Sequence, residues 1–241
     1  MSAEGPGPPA APRLADIRSR WLSAITARLD GDPVVAGAGL VGSLGAGRGD
    51  DWSDIDLLVV VDDAWLDDFA VPERLPSGPG KLAVAFDARH NGPRGTRAVS
   101  GQYLVDELPL WVDWYIYPVS QASWLADSTV IFDRRGFGRL AATFSEHLNA
   151  GEHEQATPKG LTDHRALRLA LVPIAGKRIA RRSPETARMI EFIGGPYAPD
   201  ATGKGHLATL RQLLGGFATL GLSDSVAAGH AYLDLVEETL G

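Results

Sequence analysis

The chain has no cysteine among its 241 residues, which excludes disulfide scaffolds, cysteine-ligated zinc, iron–sulfur clusters and thiol nucleophiles. Positive charge is also in short supply, with 23 Lys and Arg against 30 Asp and Glu, a formal net charge of −7. A protein whose main task is gripping nucleic acid carries a basic surplus that displaces counterions from phosphates, so nucleic acid is not an expected partner. Long apolar runs are missing too. The stretch Leu57 to Val61 is far too short to span a bilayer, and no membrane partner is expected. The six histidines are scattered with no two at i, i+4 spacing, which argues against a histidine metal site. The N-terminus, MSAEGPGPPAAPR, has neither a basic nor an apolar leader region, and a cytoplasmic location is expected.

What remains is the composition of an ordinary folded protein, with 44% hydrophobic and 22% charged residues, and general disorder is therefore excluded. At roughly 150 residues per domain the length allows one large domain or two small ones. Residues 1 to about 12 are rich in Pro, Gly and Ala and read as a loose tail. Leu14, Ile17, Trp21, Leu22, Ile25 and Leu29 then recur at helical spacing up to a stop at Asp30-Gly31-Asp32-Pro33. Strands are expected at Val34–Val41, Leu57–Val61, Lys81–Phe86, Gln102–Val105 and Leu110–Tyr117. Between them lie a glycine-rich turn from Gly42 to Gly49, a short helix at Ala64–Phe69 and an Arg-rich loop from Asp87 to Val99. Beyond Asp133-Arg134-Arg135-Gly136 helical patterns take over: Phe137–Leu148, Asp163–Arg182 with a break at Pro173, Pro184–Ile193, Leu207–Leu220 and Ser223–Leu240. Strands first and helices later define an α+β chain. It would have an N-terminal domain with a mixed sheet flanked by helices over 13–140, followed by a helical bundle over 155–241.

Three features carry chemistry. Gly42-Ser43 is a turn whose backbone N–H groups and hydroxyl can cradle phosphate oxygens where larger residues would not let them approach. Asp54 and Asp56 flank one residue at the start of a strand, so their side chains share a face. Two carboxylates held together repel unless a cation sits between them, and hard oxygen ligands suit Mg²⁺. Asp113 lies inside the apolar run Leu110 to Tyr117, where an unpaired charge is costly to bury. Two metal ions about 3.5–4 Å apart would clamp an attacking oxygen and a leaving phosphate. Together these parts describe phosphoryl-group transfer from a nucleoside triphosphate.

Gly42-Ser43, ten residues, Asp54-Ile55-Asp56, and then Asp113 in a later strand resemble the DNA polymerase beta-like nucleotidyltransferase superfamily. Within it the two-domain layout is similar to the antibiotic nucleotidyltransferases that act on aminoglycosides and lincosamides. The motif resemblance covers about residues 34 to 117, and Val130 to Gly136 resembles the segment where such enzymes leave the catalytic domain. The resemblance implies that Gly42 and Ser43 hold the triphosphate of ATP or another NTP. It implies that Asp54 and Asp56 bind two Mg²⁺ ions, and that Asp113 binds the catalytic ion or acts as base at the acceptor hydroxyl. The family pattern Gly-Ser-x-Ala-Arg-Gly is altered here, with the arginine one position late as Arg48. Arg48 and, from the helical half, Lys177 with Arg181 and Arg182 are the basic residues that would reach the nucleotide. A homodimer is compatible with the resemblance, because some members build their sites between subunits.

Other polar residues read as structural. Asp50 and Asp51 are expected to solvate a loop, and Arg89, His90, Arg94 and Arg97 to lie on an exposed one. Asp133 is expected to shape a turn and a helix start. Of Trp111, Trp114, Tyr115 and Tyr117, at least half are expected in the core rather than along an acceptor pocket. The leading expectation is a nucleotidyltransferase that moves AMP to a small, polar, possibly cationic hydroxyl acceptor, with antibiotic resistance as its setting. The competing one is a non-catalytic module of the antitoxin type that binds a protein. The intact carboxylate set stands against it. A template-directed polymerase or tRNA-modifying enzyme conflicts with the acidic balance and the absence of a basic stripe.

Overall fold

The computed structural model describes residues 12–150, 153 and 164–241. Those residues divide into two units, one of 14–105 with 110–150 and 153, the other of 12–13, 106–109 and 164–241. Of the N-terminal segment read as a loose tail, residues 1–11 lie outside the described residues, and Pro12 already belongs to the first helix.

In the first unit, helix α1 (Pro12–Gly31) buries Leu14, Ile17, Trp21, Ile25 and Leu29, a stripe at intervals of three and four that keeps one face in the core. Fully burying each such side chain contributes about 1.5–3 kcal/mol. The helix stops where Asp32 Oδ1 accepts from the Val34 N–H at 3.0 Å, a local turn that competes with helix. Strands β1 (Val35–Leu40), β2 (Ile55–Val61), β3 (Lys81–Asp87), β4 (Arg97–Val105), β5 (Leu108–Pro118) and β6 (Thr129–Asp133) form one sheet in the order β3-β4-β5-β2-β1-β6. β2 and β5 run parallel, while β1 pairs antiparallel with β2 and β6, and β3 with β4. The architecture is α+β with a mixed sheet, as the strand and helix patterns predict.

Period two sorts the central strands into two faces. Leu58, Val60, Tyr115 and Tyr117 join a cluster with Trp124, Leu125 and Phe144. Trp114 turns the other way, with its ring 5.9 Å from that of Trp21 on α1. β4 and β5 are joined by Asp106-Glu107, both at positive φ (49° and 64°), the conformation of a tight two-residue hairpin turn.

Three local expectations are corrected. The glycine-rich segment is not wholly irregular. Gly42 at φ 61° redirects the chain out of β1, and one helical turn, α2 (Gly42–Gly45), follows, with Gly45 N–H bonded to Val41 O at 3.0 Å. The Arg-rich loop is shorter than expected, because β4 begins at Arg97, whose guanidinium pairs with Asp67 at 2.7 Å. Asp67 lies on the short helix α3 (Leu66–Phe69). The helix expected from Phe137 begins only at Phe144, as α4 (Phe144–Ala150). Asp133 shapes a turn, accepting from the N–H groups of Arg135, Gly136 and Phe137 at 2.8–2.9 Å. No helix starts there, since Trp124 bonds the following stretch through Gly138 O and Leu140 N–H. The start signal used instead is a capping box, in which Glu146 Oε2 accepts from Thr143 N–H at 2.8 Å and Thr143 Oγ1 from Glu146 N–H at 3.3 Å.

The second unit holds helices α5 (His164–Ala170), α6 (Val172–Ala180), α7 (Thr186–Phe192), α8 (Gly203–Gly216) and α9 (Ser223–Glu238). The break between α5 and α6 falls just before Pro173, whose missing N–H and ring disrupt a continuous helix. Among the described residues no helix is long and apolar enough to cross a membrane.

Candidate active site

β2 and β5 bring the predicted carboxylates together. Their parallel register places Asp56 directly beside Asp113, one residue pair after Ile55–Val112 and one before Leu57–Trp114. Both side chains therefore leave the same face of the sheet, about 4.7–4.9 Å apart along the hydrogen-bonding direction. Each is half-buried. Asp54 stands two residues ahead of Asp56, half-buried like it, with the fully buried Ile55 between them pointing the other way. Among the described residues no group of three or more Asp, Glu or His side chains is already drawn in as for an ion. The closely placed set is the pair Asp56–Asp113.

Gly42 closes the site on the side of Asp56. A β-carbon at position 42 would overlap Asp56 Oδ2 and lie 2.8 Å from its Cγ. The positive φ there (61°) is one that L side chains rarely adopt. Glycine at 42 thus serves both the turn and the carboxylate. Next to it Ser43 is half-buried, and its hydroxyl has no partner among the described residues. Arg48 closes this loop through its N–H to Ser43 O at 2.8 Å, while its exposed guanidinium has no partner among the described residues.

Two donors hold Asp113. Ser100 Oγ on β4 donates to Oδ1, and Trp111 Nε1 donates to Oδ2 at 3.1 Å. Ser100 is buried, and Trp111 stacks on Phe86 with ring centroids 6.5 Å apart. Behind the pair sits Tyr115, buried edge-on to Phe144 at 4.9 Å. Burial first, and then the charges of Asp113 and Asp56, push its phenol far above the ordinary tyrosine range. A neutral Tyr115 therefore floors the site next to both charges.

Loop 50–53, which leads into Asp54, is built by residues with structural tasks. Asp50 Oδ1 accepts from Trp52 N–H at 3.1 Å and Ser53 Oγ at 2.9 Å. Arg18 from α1 donates to the carbonyls of Asp51 and Ser53 at 3.1 and 2.9 Å. Sequence singles out neither Arg18 nor Ser100 as a site residue, and of the two only Ser100 carries a usable signal; Trp111, weighed from sequence as core or pocket lining, bonds Asp113. The Asp106-Glu107 hairpin turn sets β4 against β5, and Ser100 and Asp113 stand equally far from it. Of the basic residues expected at the nucleotide from the helical half, Lys177 is buried on α6 with 9% of its surface exposed, while Arg181 and Arg182 follow it on the same unit and are exposed. Gly42, Ser43, Arg48, Asp54, Asp56 and Asp113 all belong to the sheet unit.

No family model and no curated protein matches the chain. Among solved structures it is similar to a STING-associated CdnE c-di-GMP synthase from Capnocytophaga granulosa. That similarity has 13% sequence identity, covers 95% of this chain and 81% of that one, and has a TM-score of 0.34.

Proposed function

We propose that the chain is a Mg²⁺-dependent nucleotidyltransferase. It would move a nucleoside monophosphate, AMP from ATP in the first instance, onto a hydroxyl of a small polar acceptor and release pyrophosphate. The supporting observation is the register pair Asp56–Asp113, with side-chain-free Gly42 set against one of its members. The donor set is all hard oxygen, which fits Mg²⁺ and its retained waters. Asp54, Asp56 and Asp113 would hold two ions. When bound, Mg²⁺ supplies neutralisation of the triphosphate and of charge developing on both the attacking and the leaving oxygen.

The chain's own groups divide the remaining work. Gly42 leaves room beside Asp56, Ser43 offers an unengaged hydroxyl, and Arg48 offers an unengaged guanidinium for phosphate oxygens. Lys177 would contribute from the helical domain, 155–241, to the catalytic domain, 13–140. Asp113, fixed by Ser100 and Trp111, would take the acceptor's proton. The acceptor oxygen bonds to the α-phosphorus while its proton passes to an Asp113 oxygen. The bond from the α-phosphorus to the bridging oxygen breaks, and its electron pair leaves with pyrophosphate. The chain's net charge of −7 favours a cationic acceptor, so aminoglycosides come first for testing and lincosamides second.

The test incubates the protein with Mg²⁺, each of the four NTPs and an acceptor panel, and reads products by mass spectrometry. The expected result is a nucleoside-monophosphate adduct that disappears in Asp56→Asn. Retained Mg²⁺-dependent transfer in that variant would sink the metal role of Asp56. Failure to bind Mg-ATP would overturn the enzyme reading.

A further inference from the structure

The helical unit contains a cavity of about 380 Å³ to which the proposed transfer reaction assigns no role, although one of its lining residues, Arg182, is among the basic residues expected from sequence to reach the nucleotide. Arg182, Gly203 and His206 line its polar side, and Ile179, Ala187 and Leu240 its apolar side. His206 is 8% exposed, yet its ring has no hydrogen-bond partner among the described residues. Burial lowers its pKa from the ordinary histidine range, so at neutral pH the ring is uncharged with one N–H to give. Arg182 is exposed, and its guanidinium also has neither an ion pair nor a hydrogen bond among the described residues. It occupies the left-handed position that ends α6, at φ 52°, where Gly or Asn is the usual choice. Its N–H bonds to Ile179 O and that of Ser183 to Arg178 O, both at 2.9 Å.

The third polar contribution is the start of α8. Thr202 Oγ1 accepts from Gly205 N–H at 3.1 Å and Thr202 O from His206 N–H at 2.9 Å. The N–H groups of Gly203 and Lys204 are left without an intrahelical acceptor. None of the residues lining the cavity is acidic. A free guanidinium, a buried imidazole N–H and a helix N-terminus facing one space are donors without an acceptor. The cavity is larger than one phosphate, and the smaller part of its wall is apolar.

We propose that this cavity binds the phosphoryl group of a small phosphomonoester, with Arg182 and His206 as anion ligands and the organic part against Ile179, Ala187 and Leu240. The cavity belongs to the helical unit and the Asp56–Asp113 carboxylates to the sheet unit, and the binding proposed for it does not depend on the reaction assigned to them.

The test is calorimetric titration of the full chain with phenyl phosphate and, separately, with inorganic phosphate, in EDTA so that metal-dependent binding is absent. Phenyl phosphate is expected to bind more tightly than inorganic phosphate. It is expected to bind the Asp56→Asn/Asp113→Asn protein as well as the wild type. Arg182→Asn, which keeps a residue tolerant of the left-handed position, is expected to lose about tenfold or more in affinity. His206→Leu is expected to weaken binding while keeping or raising the melting temperature, because it removes a buried polar ring that lacks a protein partner. The proposal is overturned by undetectable binding to the wild type, by wild-type affinity in Arg182→Asn, or by loss of binding in the double aspartate variant. Equal affinity for both probes, or a His206→Leu protein that melts lower yet binds normally, overturns it as well.

Discussion

The two faces of β5 differ in what they leave unfinished. On the α1 side the two buried indoles find partners: Trp114 Nε1 donates to Tyr103 OH at 3.1 Å and Trp21 Nε1 to Ser77 O at 3.0 Å. Trp21 and Tyr103 lie tilted at 5.0 Å. On the other face, Asp113 stands beside Asp56 with like charge, and Tyr117 buries a hydroxyl with no partner among the described residues. One strand therefore carries a packed core on one side and, on the other, a pair of neighbouring carboxylates with a buried hydroxyl that lacks a partner among the described residues. Alternation within a single strand is enough to keep these two apart.

Substitutions on the two faces should separate activity from stability. Asp56→Asn is expected to lower nucleotide transfer by about a thousandfold or more. Its melting temperature should hold or rise, because the neutral amide relieves repulsion with Asp113. Trp21→Ala is expected to cost about 3–5 kcal/mol of stability, read by denaturant unfolding, while residual folded protein keeps its transfer rate per molecule. If Asp56→Asn unfolds the protein while Trp21→Ala leaves it stable, the division between the faces is wrong.

Gly42→Ala joins both effects in one position. The new methyl would overlap the Asp56 carboxylate in a backbone region unfavourable to alanine. A loss of about 1–3 kcal/mol is expected together with a displaced Asp56 and a large fall in kcat. A fully active Gly42→Ala protein would show that the turn does not press on the carboxylate. Ser100→Ala is milder. It removes the Ser100 donor to Asp113, and about a tenfold fall in kcat with KM nearly unchanged is expected. Recovery in Ser100→Thr would mark it as a positioning residue.

How much of this was legible in the sequence depends on the range of the interaction. Strand and helix periodicity foretold β1, β2, β5 and the α1 stripe, because those patterns are local and strongly apolar. Asp56 and Asp113 could be named from their apolar contexts. Their side-by-side register could not, because parallel strands are joined by a long connection whose length sets no register. The Thr143–Glu146 capping box was present in the sequence but outweighed by the apolar periodicity from Phe137 onward. What overrode that periodicity was Trp124, a distant partner that holds Gly138 and Leu140 in an extended stretch. Arg18 shows the same limit, since on an amphipathic helix a half-buried arginine gives no local sign that it holds two loop carbonyls.

The smallest expected effect tests the unfinished face directly. The Tyr117 hydroxyl is buried, its ring lies 6.1 Å from that of His147 on α4, and His147 Nε2 is also buried without a partner among the described residues. Burial raises the Tyr117 pKa and lowers that of His147, so both groups are neutral at physiological pH. A buried hydroxyl with no partner costs about 1–3 kcal/mol. Removing it as Tyr117→Phe should therefore stabilise the protein by up to about that amount and raise the melting temperature by a few degrees, read by calorimetry. The direction of the shift decides the matter. A lower melting temperature would mean that the hydroxyl is already satisfied, with a buried water bridging it to His147 as the simplest arrangement. His147→Phe should then lose the same increment, and the double variant should lose no more than either single one. In that case the contrast between the faces would narrow to the Asp56–Asp113 pair alone.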